Sequence, residues 1–194
     1  MILLPLNPGT YAGRKFAVRY QTNGYYEIEP SEQGFSMKYV PLEVPVEKSF
    51  EDEILGKWLE APVAYGAFEN GKLIGFVEGS MESWNQRFRL SNICVFDPAR
   101  RHGGLGTALM NRITEAAEST GARMIVLETQ SCNESAIAFY RKNGFSIIGF
   151  DLYAYSNNDP ERHEVRIEMG KKLQEPSMGI EHEKKYILPS PLLR

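Results

Sequence analysis

Arg100-Arg101-His102-Gly103-Gly104-Leu105-Gly106-Thr107 is the stretch on which the reading of this chain turns. Before it, Arg87 to Phe96 reads as a strand closed by Pro98. After it, Leu105, Ala108, Leu109, Ile113, Ala116 and Ala117 recur at helical spacing, and Gly121 supplies a stop. Glycines at 103, 104 and 106 remove side chains that would hold a ligand off the backbone. The unpaired N–H groups of the first helical turn then point outward, and the helix dipole favours an anion there. Such a strand–loop–helix suits a phosphate or pyrophosphate. The same glycines would also permit a tight turn that binds nothing. The spacing is neither Gly-x-Gly-x-x-Gly nor the Walker A pattern, so it predicts neither a dinucleotide fingerprint nor an ordinary NTPase.

Working outward, Lys15 to Gln21 and Gly34 to Val44 read as strands. Glu51 to Glu60 reads as a short helix with Ile54, Trp58 and Leu59 on one side and acids in its first turn, as the helix dipole favours. Ala61 to Phe68 and Leu73 to Ser80 form a hairpin about Asn70-Gly71, two residues that tolerate positive φ. Downstream, Met124 to Glu128 reads as a strand and Ser135 to Lys142 as a helix capped by Asn133 and closed by Asn143-Gly144. Phe145 to Tyr155 and Glu164 to Glu168 read as the last strands. Strands, helix, strand, helix, strands make an α+β (mixed α/β) domain, expected over residues 1–170. Residues 171–194, with three prolines and mixed charges, read as an appendage.

Composition narrows the function. The 194 residues carry 22 Lys plus Arg against 25 Asp plus Glu, a net charge of -3. That argues against a nucleic-acid binder, which needs clustered positive charge, and suits a small-molecule or cationic partner. Cys94 and Cys132 are the only cysteines, so a disulfide framework is excluded and a reducing compartment fits. His102, His163 and His182 lack metal-ligand spacing, and no metal is expected. No apolar run approaches the ~20 residues of a membrane helix. A cytoplasmic protein is expected, and a homodimer stays open.

Two motifs then carry a resemblance. Arg101-x-x-Gly104-x-Gly106 resembles the pyrophosphate loop of the GNAT N-acetyltransferase superfamily. Asn133-x-x-Ala136-x-x-x-Tyr140-x-Lys142-x-Gly144-Phe145 stands at the spacing of that superfamily's second motif. The branch it resembles most is the streptothricin (nourseothricin) acetyltransferases. The matching residues are Gly34-Phe35 with Val40-Pro41, Trp84-Asn85, Leu127-Glu128-Thr129-Gln130, and Gly149-x-Asp151 ending at Tyr155. The resemblance implies a central, mostly antiparallel twisted sheet, splayed between its two middle strands and flanked by helices. It also implies acetyl transfer from acetyl-CoA to a primary amine, in this branch on a streptothricin-type antibiotic, which confers resistance. Other small amines, a protein lysine, or a non-catalytic coenzyme A sensor are the alternatives.

The resemblance distributes roles over named residues. Backbone amides of His102, Gly103, Gly104, Leu105, Gly106 and Thr107 are expected on the pyrophosphate, Arg100 or Arg101 near the adenine-phosphate end, Asn133 on the pantetheine arm, and Cys94, Val95 and Phe96 along the strand beside it. A backbone N–H at Val95 or Phe96 would polarise the thioester carbonyl. Tyr140 is the expected general acid toward the departing sulfur, its alternative being a core tyrosine beside Ile137. Cys94 reads as a small buried hydrophobe. Trp84, Asn85, Asp151 and Tyr155 are expected around the acceptor. Related streptothricin enzymes carry acids on the strand before the loop, but Leu90-Ser91-Asn92-Ile93-Cys94-Val95 has none. Glu128 is therefore the expected catalytic and ammonium-binding carboxylate, with Glu78 and Glu82 in reserve.

Overall fold

The computed structural model describes residues 1–101 and 103–173. Strands β1 (Ile2–Pro5), β4 (Val63–Glu69), β5 (Lys72–Glu82), β6 (Arg87–Val95), β7 (Met124–Gln130), β8 (Ser146–Asp151) and β9 (Arg166–Lys172) form one sheet in the order β1-β4-β5-β6-β7-β9-β8. Every neighbouring pair is antiparallel except β6 and β7. The Asn70-Gly71 turn, with φ of 49° and 76°, joins β4 to β5 as the dipeptide predicts. Helix α2 (Leu105–Ser119) buries Leu105, Leu109, Met110, Ile113, Ala116 and Ala117, the stripe its spacing foretells. These pack with Val77, Phe88, Leu90 and Ile125 of the sheet. Helix α3 (Glu134–Lys142) starts at Asn133, whose side chain accepts from the Ala136 N–H. Two one-turn α-helices, α1 (Pro8–Tyr11) and α4 (Asp159–Arg162), complete the α-helices among the described residues.

The central pair sets up everything that follows. β6 and β7 are paired only at Arg87–Met124, Phe88–Ile125 and Arg89–Val126. Beyond them β6 stays on β5 as far as Val95, while β7 stays on β9 as far as Gln130. The two strands therefore diverge, and the gap opens at their C-terminal ends, beside the loop that leads into α2.

The N-terminal half corrects the sequence reading. Strands β2 (Arg14–Ser31) and β3 (Gly34–Ile54) form a separate two-stranded ribbon, far longer than the two short strands expected. Glu51 to Ile54 is not helical: these residues pair with Ala17, Phe16, Lys15 and Arg14. Long-range ladder hydrogen bonds override the local helix signal, and the supposed apolar face is absent because Trp58 is 62% exposed. The root of the ribbon packs Phe16, Ile54 and Leu55 on Ala64, Phe76 and Cys94, which covers the sheet face opposite α2. At the other end of the chain, β8 stops at Asp151 rather than Tyr155. β9 continues through Lys172, and Leu173 is buried in the main core. The remainder of the expected appendage, 174–194, lies outside the described residues.

Candidate active site

The loop after β6 begins with a single 3-10 turn, Pro98–Arg100, capped by the Asp97 side chain on Ala99 N–H. Gly104 stands at the α2 N-cap with φ +82°, a left-handed backbone that an L side chain adopts at a cost, and a Cβ there would meet open space. Gly106 is glycine for another reason. A Cβ would lie 3.2 Å from the Phe139 ring, so its absence lets the start of α2 approach α3. Of the two arginines, Arg100 is paired with Glu69 at 2.6 Å, while Arg101 donates to the backbone carbonyl of Arg19 on the ribbon. Leu105 belongs to the core and Thr107 is half-buried at the first turn. His102 lies outside the described residues.

Backbone alternation settles which amide faces the gap. The Phe96 N–H donates to Ile74 O at 3.1 Å, so it is spent on β5. Val95 lies opposite Gly75 and next to that bonded pair, which turns its N–H away from β5 and toward the divergence from β7. Of the two amides, the Val95 N–H is thus the one turned toward the gap. Cys94, one step earlier, is 6% exposed, and burial pushes its thiol up to about 11 against the pull of Arg101. It is protonated at neutral pH and packs as the small hydrophobe expected.

Tyr140 projects from α3 into the same region. Its ring packs edge-on to Phe139 and beside Phe145, and it is 9% exposed. Burial, and then the nearby Cys94 thiol, push its hydroxyl above the ordinary phenol range, so it holds its proton firmly. No hydrogen bond of that hydroxyl is found among the described residues. Core packing and a free polar tip are therefore both true of one side chain.

The acceptor candidates are less united. Glu128 on β7 is exposed, 3.5 Å from Arg166 and 3.5 Å from the Tyr155 hydroxyl. Asp151 uses a carboxylate oxygen to accept the Tyr153 N–H in its own turn. Trp84 and Asn85 sit in the β5–β6 turn, at the paired end of β6 and away from the gap. Asn85 is fully occupied there: it donates to Glu82 and accepts the Arg87 N–H. Trp84 is 83% exposed. Neither joins the others. Glu82, a reserve carboxylate, is held by Arg87 and Arg89; against burial that would raise it, Arg89, Asn85 and Arg87 keep its carboxyl below the ordinary range.

The other reserve, Glu78, sits in a different environment from Glu82. It is fully buried on β5, directly opposite Asn92 of β6. One carboxylate oxygen accepts the Leu55 N–H at 2.7 Å and the other accepts Asn92 Nδ2 at 2.8 Å. The same Asn92 nitrogen donates to Asp52 of the ribbon at 3.0 Å. In sequence, Glu51-Asp52-Glu53 fits either acids that attract a polycationic substrate or acids favoured by a helix dipole; the structure has no helix there and sets Asp52 beside Asn92. A signal for Glu78 exists in the sequence: it shares strand parity with Phe76, which is buried under the ribbon.

The profile of the Acetyltransferase (GNAT) family matches residues 27–145, more than half of the chain. The chain belongs to the GNAT acetyltransferase family. It is 30% identical to streptothricin acetyltransferase of Streptomyces lavendulae over 150 residues, 73% of this chain and 79% of that protein. Streptothricin acetyltransferase A of Bacillus subtilis is 31% identical over 126 residues, 63% of this chain and 71% of the relative. The crystal structure of nourseothricin acetyltransferase superposes with a TM-score of 0.73 at 28% identity, covering 88% of this chain and 97% of that one. The fold is thus a GNAT fold, and the protein is an acetyl-CoA-dependent N-acetyltransferase. The loop fits such a donor: Gly104 holds the backbone open at the α2 N-terminus, and among the described residues nothing lies within 4 Å of where a Cβ would sit on it. Among the described residues no group of His, Cys, Asp or Glu could hold a metal ion. None of their helices is long and apolar enough to cross a membrane.

Proposed function

We propose that this acetyltransferase acts on a primary amine of a streptothricin-type antibiotic, in a reducing compartment such as the cytoplasm. The observation that carries the reading is the 30% identity over 73% of the chain to a streptothricin acetyltransferase, joined to a gap flanked by carboxylates on the ribbon side of the sheet. Acetylation of such an amine removes a positive charge, and a site that presents acids to the incoming substrate suits that cationic class.

Acetyl-CoA supplies the thioester, and the residues divide the remaining work. Backbone amides from Gly104 to Thr107 hold the pyrophosphate, the Gly103 N–H being spent on Arg100 O, and Arg101 stands toward the adenine-phosphate end; Asn133, whose Nδ2 is free of hydrogen bonds among the described residues, reaches the pantetheine arm. The Val95 N–H is aimed at the gap and is the donor for a carbonyl oxygen that gathers charge. Tyr140 Oη keeps its proton at neutral pH and delivers it to a departing thiolate. Glu128 and Tyr155 form the outer rim that meets the ammonium first, and the proton that the ammonium loses before its nitrogen attacks passes by way of the Glu128 carboxylate to water. Incubation of nourseothricin, free lysine, spermidine and a lysine peptide with enzyme and acetyl-CoA, read by mass spectrometry, tests the acceptor. One acetyl group on the antibiotic is expected; acetylation of another acceptor with the antibiotic untouched overturns that choice.

A further inference from the structure

Acids on the ribbon side of the sheet fall into two kinds. Glu82 and Glu168 share Arg87 and Arg89, and Glu128 leans on Arg166. Glu78 and Asp52 have no lysine or arginine within ion-pair distance among the described residues. They are joined instead through a single side-chain amide, because both protons of Asn92 Nδ2 are claimed, one by each carboxylate. Two carboxylates bridged by a neutral group leave negative charge uncompensated, which is costly in a buried place unless a cation arrives. The amide orientation that serves both acids leaves Asn92 Oδ1 as an acceptor, with no hydrogen bond among the described residues.

A second, independent feature lies in the next residue. Glu78 pairs with Asn92 and Gly79 with Leu90, so Ser91 is the extra residue of a β-bulge. Its hydroxyl is enclosed and has no hydrogen-bond partner. An orphaned buried hydroxyl calls for an explanation, and a polar guest beside the bulge provides one. Position supports the same reading. Asn92 and Cys94 lie on one face of β6, two residues and about 7 Å apart, so a group held at Asn92 is one side-chain step from the gap where the Val95 N–H points.

We propose that Asp52 and the side-chain carbonyl of Asn92 receive the ammonium of a cationic amine acceptor, and that Glu78, buried beneath them, is the positioning residue that fixes Asn92. The proposal rests on the acetyltransferase reading above and deepens it. The carboxylates that the β6 sequence lacks are supplied from β5 and from the ribbon. Asp52 touches the substrate; Glu78 acts through Asn92 and through the Leu55 N–H, which anchors the end of the ribbon that carries Asp52. Leu55 is held there with φ +51°, a rare backbone for a bulky residue that persists only where its surroundings demand it.

The test uses the full chain with the best acceptor of the four-amine panel. Asp52→Asn is expected to raise the acceptor KM at least about tenfold, and Glu78→Gln to do the same, while the Kd for coenzyme A measured by calorimetry stays at the wild-type value. The dependence of acceptor KM on salt should flatten in Asp52→Asn, since one attractive charge is gone. Asn92→Asp restores an acceptor oxygen but loses the bridging donor, and is expected to resemble Glu78→Gln. Acceptor KM within about twofold of wild type in both Asp52→Asn and Glu78→Gln overturns the proposal. A loss of coenzyme A affinity in step with the loss of amine affinity also overturns it, because that marks a purely structural role. A wild type that releases no thiol with any panel amine is a different failure, which overturns the acceptor reading on which this one rests.

Discussion

The cofactor side and the acceptor side of this enzyme are built from different kinds of sequence. On the proposed cofactor side, the assigned residues are neighbours in the chain, in one loop with the helix that follows it and in a second helix: Arg101 to Thr107, then Asn133 to Tyr140. On the proposed acceptor side, Asp52, Glu78, Asn92 and Glu128 come from four separate strands. A phosphate is held by backbone amides, whose geometry is local and needs only a particular loop. An ammonium is held by side-chain oxygens, which any strand that reaches the spot can supply. The first leaves a motif. The second leaves scattered acids whose meaning depends on pairing register.

The strongest way to break the cofactor side is at Gly104. A side chain there must adopt φ +82°, which costs about 1–2 kcal/mol before any ligand is considered. In Gly104→Trp it would also stand over the α2 N-terminus, where the anion belongs. The space around a Cβ is open, so the fold should survive with little more than the local strain. Calorimetry is expected to show no coenzyme A binding at about millimolar ligand, a loss of several kcal/mol relative to a micromolar complex, while circular dichroism stays native. Retained binding would move the phosphate site off this loop.

The same contrast explains what could be read from the chain beforehand. The α2 stripe, the Asn70-Gly71 turn, the Asn133 cap and the divergence of the middle strands follow from local spacing or from the family resemblance, and the structure carries all four. The ribbon was not legible. Glu51-Asp52-Glu53 before Ile54 satisfies every local rule for a helix start, yet Arg14 to Ala17, some thirty-five positions earlier, capture its backbone. No windowed pattern reports such a pairing. Within the loop the glycines differ: Gly106 serves the contact with Phe139, while Gly104 has the positive φ that glycine adopts easily.

Tyr140 probes the boundary between the two sides, with the next largest effect. Tyr140→Phe keeps the ring packed on Phe139 and Phe145 and removes only the hydroxyl. Loss of a general acid typically lowers turnover by about 10²–10⁴-fold. Steady-state kinetics should show that fall in kcat, with coenzyme A affinity unchanged. A fall in affinity with kcat intact would instead assign the ring to binding alone.

On the acceptor side a pH-dependent stability should separate Glu78 from its ion-paired neighbours. Burial raises the Glu78 carboxyl above the ordinary carboxylate range, the bonds from Asn92 and Leu55 oppose this, and the Asp52 charge adds to it. A carboxyl whose folded value exceeds its unfolded one stabilises the fold at low pH, and that contribution is lost as pH rises through the folded value. Glu82 runs the other way, since its lowered value stabilises the fold above the ordinary range. The difference in Tm between Glu78→Gln and wild type should therefore grow in favour of the variant from near pH 4 to about pH 8. A difference independent of pH would mean that Glu78 does not titrate abnormally.

The smallest effect is expected at Trp84, and it sharpens where the acceptor side ends. The family resemblance places Trp84-Asn85 with the substrate, whereas the structure places them in the β5–β6 turn at the paired end of β6. Asn85 has a task there that explains it without a ligand: it closes the turn through Glu82 and the Arg87 N–H, and its carbonyl accepts from Arg123. Trp84 has no such task, and an indole this exposed contributes little to packing. Trp84→Ala should shift stability by no more than about 0.5 kcal/mol, the usual range for a surface position, and the acceptor KM by less than about twofold, the same energy expressed as an equilibrium constant. Thermal unfolding and kinetics on the best panel amine read both. A tenfold rise in acceptor KM at unchanged Tm would extend the acceptor surface from the gap across the turn, along the row of Arg87, Arg89 and Glu82, and would mean that the antibiotic spans the whole ribbon-side face rather than its open end.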